Sequence, residues 1–351
     1  MRRALALARR GIGTTHPNPR VGAVVVKDGV KLGEGWHAFP GGPHAEVEAL
    51  RAAGDAARGA TMYVSLEPCA AHGRTPPCTE AILDAGIRRL VYASADPNPQ
   101  MSGGGQWLGN HGVEVRGGVL HADADALNRP FFHHLHHARP FVLAKAAMSL
   151  DGMLATRTHH SQWISGPESR KHAHRLRAES DAILVGAGTL ERDNPSLTVR
   201  DAHALGRPPL RVIVAGRTPA FSGDYRILEG KAPTRLYVRE RSLEASKWEA
   251  AGVEVVQAET LHQLLMHLGR DARLALLLEG GGRLHASFLE MRLTDEVVFY
   301  QAPILIGGHD AVNFWNGIGC SRLSQAPHVD VTERRMLGAD QMIRGRVVYP
   351  D

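Results

Sequence analysis

Cysteine is scarce in this chain, with only Cys69, Cys78 and Cys320 among 351 residues. Three thiols cannot build the disulfide framework of a small secreted protein, so the sequence predicts a reducing, cytoplasmic location. No run of eighteen apolar residues occurs, which argues against a membrane span. The first ten residues are basic and only partly apolar, which indicates an amphipathic helix rather than a signal peptide.

Aromatic residues are also few, at 5%, and no block of basic residues accompanies the net charge of +5. Surfaces that bind nucleic acid usually combine clustered Lys and Arg with aromatic side chains. We therefore expect no nucleic-acid partner, whereas dispersed Arg suits a small anionic substrate such as a phosphate. A chain of 351 residues exceeds one ordinary core and predicts two domains.

Strand and helix patterns alternate in both halves, which predicts an α/β fold with helices layered on sheets. In the first half we expect strands at 21–26, 61–65, 89–93 and 113–115, and helices at 43–53 and 78–85. In the second half we expect helices at 167–180 and 261–268, and strands at 141–148, 182–185, 210–214, 235–238, 253–256, 274–278, 297–300 and 346–349.

The pattern breaks over residues 128–140, so we place the domain junction near Pro140, with domains 1–139 and 140–351. This stretch contains His133-His134-Leu135-His136-His137. A metal site is one interpretation of these histidines. A helix end or hinge with solvent-facing imidazoles is favoured, because no cysteine or carboxylate cluster accompanies them.

Three short motifs indicate a catalytic metal: His44-Ala45-Glu46, Glu67-Pro68-Cys69 and Pro76-Pro77-Cys78. They supply three zinc ligands, and three protein ligands leave a fourth position open for water. His-x-Glu followed by Pro-Cys and a second Cys is the signature of zinc nucleobase deaminases, with the Glu as proton shuttle. A closed structural zinc site is the alternative. It needs a fourth protein ligand, for which His72 is the candidate, although we expect His72 to line the substrate pocket.

The same motifs predict local geometry. Pro43 and the glycines before it should turn the chain into a helix whose first turn holds His44 and Glu46, and Cys69 should begin another helix or tight turn. Two helix N-termini near one metal would favour thiolate and hydroxide. Zinc lowers the pKa of its water to about 7, and Glu46 can accept that proton and pass it to the leaving ammonia.

Eight residues separate Cys69 from Cys78, and this spacing resembles that of the riboflavin-biosynthesis pyrimidine deaminase. Further N-terminal motifs resemble the same family: Pro17-Asn18-Pro19-Arg20-Val21-Gly22, Gly33-Glu34-Gly35-Trp36-His37 and Asp96-Pro97-Asn98-Pro99. The second half resembles the reductase of that pathway through Ala147-Met148-Ser149-Leu150-Asp151-Gly152, Ser161-Gln162-Trp163-Ile164-Ser165, Asp193-Asn194-Pro195-Ser196-Leu197-Thr198-Val199-Arg200 and Glu279-Gly280-Gly281.

This resemblance implies a bifunctional enzyme with a cytidine-deaminase-like three-layer domain followed by a dihydrofolate-reductase-like α/β domain. The first domain would use Zn²⁺ to deaminate 2,5-diamino-6-(5-phosphoribosylamino)pyrimidin-4(3H)-one. The second would use NADPH to reduce the ribosyl group to ribityl. The resemblance also implies a homo-oligomer. Two alternatives remain: a nucleoside or tRNA deaminase with an appended ligand-binding domain, and a binding protein whose second half has lost catalysis.

The resemblance also implies roles for individual residues. The metal ligands are His44, Cys69 and Cys78, Glu46 is the catalytic proton carrier, and the deaminase substrate meets Asn18, His37 and Arg74. Cofactor contacts are Ala147, Leu154, Trp163, Thr189, Asp193, Gly281, Gly282, Arg283, Leu284, His285, Ala286 and Ser287. Contacts to the reductase substrate are Ser161, Arg177, Leu197, Arg200 and Glu279. One departure concerns Ala71, where the family usually has His.

Physical arguments bear on several of these residues. Only fragments of a Gly-x-Gly-x-x-Gly fingerprint occur, at 186–188 and 280–282, but residues 280–287 can present backbone N–H groups and a helix N-terminus to a phosphate. A tight loop is the alternative. Arg177 and Arg200 can bind a ribose phosphate bidentately. Glu279 ends an apolar strand, where an unpaired carboxylate is costly, and we expect a substrate hydroxyl or amino group to relieve that cost. Lys145 and Asp151 should lie near this cleft.

Overall fold

The computed structural model describes residues 1–71, 76–200, 206–230 and 232–350. Its residue contacts divide the chain into two compact units, Met1–Ala138 and Arg139–Asp351. Each unit has its own sheet and hydrophobic core. Within the described ranges, no helix is both long enough and apolar enough to cross a membrane.

The N-terminal unit is built on a five-stranded sheet in the order β2-β1-β3-β4-β5. Its strands are β1 (Gly22–Lys27), β2 (Val30–Trp36), β3 (Thr61–Leu66), β4 (Arg89–Ser94) and β5 (Glu114–Arg116). Its helices are α1 (Arg2–Ala8), α2 (Ala45–Ala53), α3 (Cys78–Asp84), α4 (Gly104–Asn110) and α5 (His121–His137). Strand β1 runs antiparallel to β2 and β3, whereas β3, β4 and β5 are parallel.

Helices cover both faces of this sheet, so the predicted three layers are confirmed. Ala23 and Val25 of β1 join a core with residues of α2, α3 and α4, whereas Val24 packs on the other face against α1. Because both faces are covered, β1 is apolar almost throughout instead of alternating. Strands β1 and β2 are joined by a tight turn with positive φ angles of 50° at Asp28 and 77° at Gly29.

The histidine-rich stretch is the C-terminal end of a helix, as the favoured interpretation predicts. Helix α5 runs through Pro130 and ends at His137, although a proline inside a helix removes one backbone hydrogen bond. Ala124 and Asn128, one helical turn apart, are buried and keep the helix on the unit. Among the described residues, these histidines form no cluster with metal-ligand geometry.

The C-terminal unit is larger and is built on a mixed nine-stranded sheet. Its main strands are β6 (Phe141–Met148), β8 (Ala182–Gly186), β9 (Leu210–Arg217), β10 (Thr234–Glu240), β11 (Glu254–Gln257), β12 (Ala275–Leu278), β13 (Glu296–Gln301), β15 (His328–Leu337) and β16 (Asp340–Val348), and a separate pair is β7 (Met153–Ala155) with β14 (Val312–Asn313). Its helices are α6 (Pro167–Glu179), α7 (Ala187–Asp193), α8 (Ala245–Ala250), α9 (Leu261–Arg270) and α10 (Gly282–Glu290).

The strand order is β11-β10-β9-β8-β12-β6-β13-β16-β15. All pairs from β11 to β13 are parallel, and the last two strands are antiparallel. One core packs α6 and α8 against one face, and a second packs α9 and α10 against the other. The carboxyl ends of the parallel strands therefore lie along one edge, where open α/β sheets bind ligands.

Two elements at the end of the chain differ from the sequence prediction. Strand β16 begins at Asp340, six residues before the predicted strand at 346–349, and β15 was not predicted at all. Strand β15 is the edge of the sheet, and its side chains are exposed or only half-buried along its whole length. Such a strand carries no alternation of buried and exposed residues for a sequence pattern to report.

Candidate active sites

The structure brings the three predicted metal ligands together. The ligand atoms of His44, Cys69 and Cys78 all lie within 4.8 Å of one another. His44 Nδ1 is 3.1 Å from Cys78 Sγ and 3.6 Å from Cys69 Sγ. One imidazole nitrogen and two thiol sulfurs in this arrangement fit a tetrahedral zinc ion that keeps a position for water.

Two helix N-termini approach this cluster, but they are not the pair that was predicted. His44 is the extended residue that precedes the first turn of α2, and Glu46 lies in that turn. Cys78 is the first residue of α3. Cys69 begins no helix, since it lies in the irregular segment after β3. The second helix N-terminus is therefore supplied by Cys78.

Glycines in β2 let α2 lie close against the sheet. A Cβ atom on Gly33 would fall 2.2 Å from the backbone oxygen of Ala49, and one on Gly35 would fall 2.6 Å from that of Ala45. Any larger residue would push away the helix whose start carries His44 and Glu46. The family-like motif around Gly33 and Gly35 thus has a packing reason.

The two thiols interact directly with each other. The Cys78 thiol donates towards Cys69, which lowers the pKa of Cys69 and raises that of Cys78. The backbone N–H of Cys78 also donates to Cys69 Sγ at 3.2 Å. Thiolate is the form that binds metal, so Cys69 is already arranged as a ligand.

Glu46 is buried beside this cluster, with 4% of its surface exposed. Burial raises the pKa of its carboxyl to about 7, although the charge of His44 opposes that shift. A carboxyl with this pKa can gain or lose a proton near neutral pH, which is what a proton carrier requires.

Asn18 and His37, the predicted substrate contacts, form a pair next to His44. Asn18 Nδ2 is 3.0 Å from His37 Nε2, and His37 Nδ1 is 3.0 Å from the oxygen of Pro43. Burial lowers the pKa of His37, so the ring is neutral near pH 7. The predicted contact Arg74 and the alternative ligand His72 lie outside the described residues.

Glu67 has a supporting role that the sequence reasoning missed. Its two carboxylate oxygens accept hydrogen bonds from the backbone N–H groups of Gly105, at 3.0 Å, and Asp96, at 3.2 Å. These bonds tie the segment that carries Cys69 to α4 and to the loop after β4. A carboxylate directly after a buried strand was the available signal.

In the C-terminal unit, Arg177 and Glu279 bind each other. Arg177 donates from Nε and Nη2 to the two oxygens of Glu279, both at 2.7 Å, and from Nη1 to the oxygen of Thr198 at 3.1 Å. The expectation that a substrate group relieves the buried Glu279 is corrected, because Arg177 does so. These bonds use three of the five N–H donors of Arg177, so the expected contact of Arg177 and Arg200 with a ribose phosphate stays a prediction.

Lys145 and Asp151, for which the sequence predicts no role, have different surroundings in the structure. Lys145 Nζ is 3.7 Å from Glu279 and belongs to the charged cluster. Asp151 accepts from the backbone N–H groups of Ile306, at 3.1 Å, and Gly307, at 2.7 Å, so it holds a loop in place. These bonds, together with one from the Ser149 hydroxyl, lower the pKa of Asp151 to about 2.

Several of the residues predicted to bind the cofactor lie close together near the starts of α7 and α10. A Cβ atom on Gly281 would lie 3.9 Å from Thr189 Oγ1, and one on Gly186 would lie 3.7 Å from Leu284. Arg283, Leu284 and Ser287 line a cavity of about 600 Å³ beside these turns. The first turn of α10 thus borders the cavity, which fits a phosphate-bearing cofactor such as NADPH.

Gly282, His285 and Ala286 are buried and are not among the residues that line this cavity. Ala147 is the penultimate residue of β6, and Leu154 lies in β7. Trp163 is 68% exposed, and its ring lies 4.9 Å from the guanidinium carbon of Arg170. Asp193 ends α7 and has its pKa raised by burial.

The remaining predicted substrate contacts differ in how far their side chains are exposed. Ser161 is half-buried, and Arg200 is exposed and donates its backbone N–H to His174 Nδ1 at 3.1 Å. Leu197 has its side chain in the core with 2% exposure, so only its backbone is available to a substrate.

Comparison with known proteins agrees with this geometry. Residues 1–94 match the family model of the cytidine and deoxycytidylate deaminase zinc-binding region, and residues 140–340 match that of the RibD C-terminal domain. Riboflavin biosynthesis protein RibD of Bacillus amyloliquefaciens is 41% identical over 347 residues, which cover 97% of this chain and 93% of the relative. RibD of Escherichia coli K12 is 39% identical over 360 residues, which cover 97% and 96%.

Solved structures give the same result. Acinetobacter baumannii RibD superposes with a TM-score of 0.90 at 36% identity, covering 99% of this chain and 97% of that one. A Thermotoga maritima protein named as a diaminohydroxyphosphoribosylaminopyrimidine deaminase/5-amino-6-(5-phosphoribosylamino)uracil reductase gives 0.87, also at 36% identity and with coverage of 99% and 97%. The chain therefore belongs to the RibD family, the bifunctional zinc-binding deaminases and NADPH-dependent reductases of riboflavin biosynthesis.

Proposed function

We propose that this chain catalyses two consecutive reactions. The first is hydrolytic removal of the 2-amino group of 2,5-diamino-6-(5-phosphoribosylamino)pyrimidin-4(3H)-one, and the second is reduction of the ribosyl side chain to ribityl. The observation that carries the proposal is the cluster of His44, Cys69 and Cys78 with ligand atoms within 4.8 Å, beside buried Glu46. The name of the Thermotoga maritima relative supports the choice of substrate.

In the deaminase site, His44, Cys69 and Cys78 would hold zinc. When bound, zinc supplies the Lewis acidity that makes water a nucleophile near neutral pH. Glu46 accepts a proton at its carboxylate and returns it to the departing amine. Asn18 and His37 bind the pyrimidine at the side of His44, and we infer that Arg74 binds its phosphate. Ala71 stands where the family usually has His, and we infer that His72, which lies outside the described residues, takes the polar role towards the substrate.

In the reductase site, NADPH supplies the hydride and is held by the cofactor residues at the starts of α7 and α10. The Lys145, Arg177 and Glu279 cluster carries one net positive charge and orients the sugar. Lys145 Nζ, 3.7 Å from Glu279, is the group there that can hold or donate a proton. Arg200 is exposed, and we infer that it binds the phosphate together with the remaining N–H donors of Arg177.

We also infer that the chain works in the cytoplasm and self-associates, without nucleic-acid partners. The two cysteines of the metal cluster are unpaired as disulfides, which suits a reducing compartment. Leu305, Ile318 and Leu323 of the C-terminal unit are 75%, 95% and 95% exposed, and a second copy would cover them.

A coupled assay tests the proposal. Wild-type protein given the diaminopyrimidinone should consume NADPH, whereas Glu46→Gln should lose deamination by about 10²–10⁴-fold and consume NADPH only when the deaminated intermediate is added. Zinc should remain bound in this variant. Glu48→Gln is the matched control, because Glu48 lies two residues further along α2 and pairs with Arg51 at the surface. Turnover of cytidine or tRNA, with none of the pyrimidinone, would contradict the proposal.

A further inference from the structure

The cavity beside α10 extends well beyond the residues predicted to bind the cofactor. It follows the carboxyl ends of β8, β9 and β10, lined there by residues 186–188, 214–216 and Arg239, and it reaches the start of α9. At about 600 Å³ it is large enough for one half of a dinucleotide. The carboxyl edge of parallel strands is where such ligands bind.

Three charged side chains line this cavity: Arg239, Arg283 and Glu259. The local balance is therefore positive. Among the described residues, neither arginine has an ion-pair partner within 4.0 Å, so both guanidinium groups are available to a ligand. Arg283 lies in the first turn of α10, whereas Arg239 lies at the end of β10.

The guanidinium group of Arg239 lies next to Gly216 in the neighbouring strand. A Cβ atom on Gly216 would lie 3.3 Å from Arg239 Nη2 and 3.9 Å from its Nε. The guanidinium group thus lies beside backbone that carries no side chain at the end of β9. Its planar fork lines the cavity and can form two hydrogen bonds to one phosphate.

NADPH and NADH differ only by the 2′-phosphate on the adenosine ribose, so coenzyme choice needs a group that reads that phosphate. Arginine is the usual residue for this task in dinucleotide sites. We propose that Arg239 is the specificity-determining residue that selects NADPH over NADH by binding the 2′-phosphate. This inference rests on the proposed function, because it takes the cavity to hold the adenosine half of the reductase cofactor.

The test compares coenzyme affinities of the full-length protein by fluorescence titration. Arg239→Met keeps the length of the side chain and removes its charge. It should weaken NADPH binding about 10–100-fold and leave NADH binding unchanged. Arg239→Lys should retain an intermediate preference. Arg217→Met is the matched control, since Arg217 ends the next strand, is 71% exposed and does not line the cavity, and it should bind both coenzymes as the wild type does.

Each other outcome is decisive. Equal weakening of both coenzymes by Arg239→Met, or no change in either, overturns the assignment, and so does a wild type that binds NADH as tightly as NADPH. If Arg239→Met fails to fold, Arg239→Lys decides the matter. The assignment is overturned if Arg239→Lys keeps the full preference for NADPH while Arg217→Met binds both coenzymes as the wild type does. A wild type that binds neither coenzyme contradicts the proposed reductase function instead.

Discussion

Buried carboxylates in the two units are stabilised in opposite ways. Burial works to raise the pKa of Glu279, but the charges of Arg177 and Lys145 outweigh it and lower that pKa to about 2. For Glu46 burial outweighs the opposing charge of His44 and raises the pKa to about 7. Glu279 consequently remains an anion that orients other groups, whereas Glu46 exchanges a proton in the physiological range.

His285 is a second buried group with a consequence for pH. It is fully buried in α10. Burial, with the nearby charge of Lys145, lowers the pKa of His285 to about 3. The unfolded chain protonates this histidine at about pH 6.5, so it binds more protons than the folded chain between pH 6.5 and pH 3.

We therefore expect acid to destabilise the protein partly through His285. Above pH 6.5 His285 does not reduce the free energy of unfolding. As the pH drops from 6.5 towards 3, its protonation in the unfolded chain lowers that free energy by about 1.4 kcal/mol per pH unit. His285→Leu should have the free energy of unfolding of the wild type at pH 7.5, and this free energy should fall less steeply with decreasing pH. Urea unfolding from pH 7.5 to 5 measures the difference. His262→Gln, at an exposed position of α9, should keep the wild-type slope, and an unchanged slope in His285→Leu would refute the assignment.

At the scale of elements, the position of the segment after β3 that carries Pro68 and Cys69 depends on how closely α4 approaches it. A Cβ atom on Gly104, the first residue of α4, would lie 1.9 Å from the backbone oxygen of Pro68. The next residue, Gly105, donates its N–H to Glu67. Only glycine permits this contact, which places Pro68, and with it Cys69, at the metal cluster.

Gly104→Ala should therefore displace the loop and weaken zinc binding, with a loss of stability of about 2–4 kcal/mol. Gly109→Ala is the matched control in the same helix, because nothing lies within 4 Å of a Cβ atom there. It should increase stability by about 0.5–1 kcal/mol. Zinc content and denaturant unfolding measure both effects, and equal zinc retention in the two variants would show that the close approach is unimportant.

At the scale of the whole molecule, two units with separate cores carry separate sites. Ligand binding stabilises only the structure that contains the ligand site. The metal cluster belongs to the N-terminal unit, and the charged cluster and the 600 Å³ cavity belong to the C-terminal unit. Removal of zinc should therefore have a local effect.

We expect chelation to accelerate hydrogen exchange in α2 and α3, and to leave exchange in α6, α9 and α10 unchanged. NADPH should slow exchange at the starts of α7 and α10 and leave the metal helices unchanged. Mass spectrometry resolved by peptide measures both effects. Equal acceleration in both units after chelation would mean that they unfold as one cooperative structure.

Much of this molecule follows from its sequence because the signals are local. Most strands of the two sheets were predicted, since apolar runs bounded by turn residues report burial directly. The metal ligands and Glu46 were predicted from spacing, because three ligands and one carboxylate need particular residue types. The ligand atoms of His44, Cys69 and Cys78 converge within 4.8 Å, which agrees with that prediction.

The tertiary structure alone decided which charged groups face each other and which backbones touch. Arg177 and Glu279 are 102 residues apart in the chain, and the approach of Gly104 to Pro68 joins two elements that no local pattern connects. Helix α5 continues through Pro130 because its buried side chains hold it, and β15 forms because β16 pairs with it. A sequence pattern records the burial of each residue, whereas a partner distant in the chain is decided only when the sheets and helices pack.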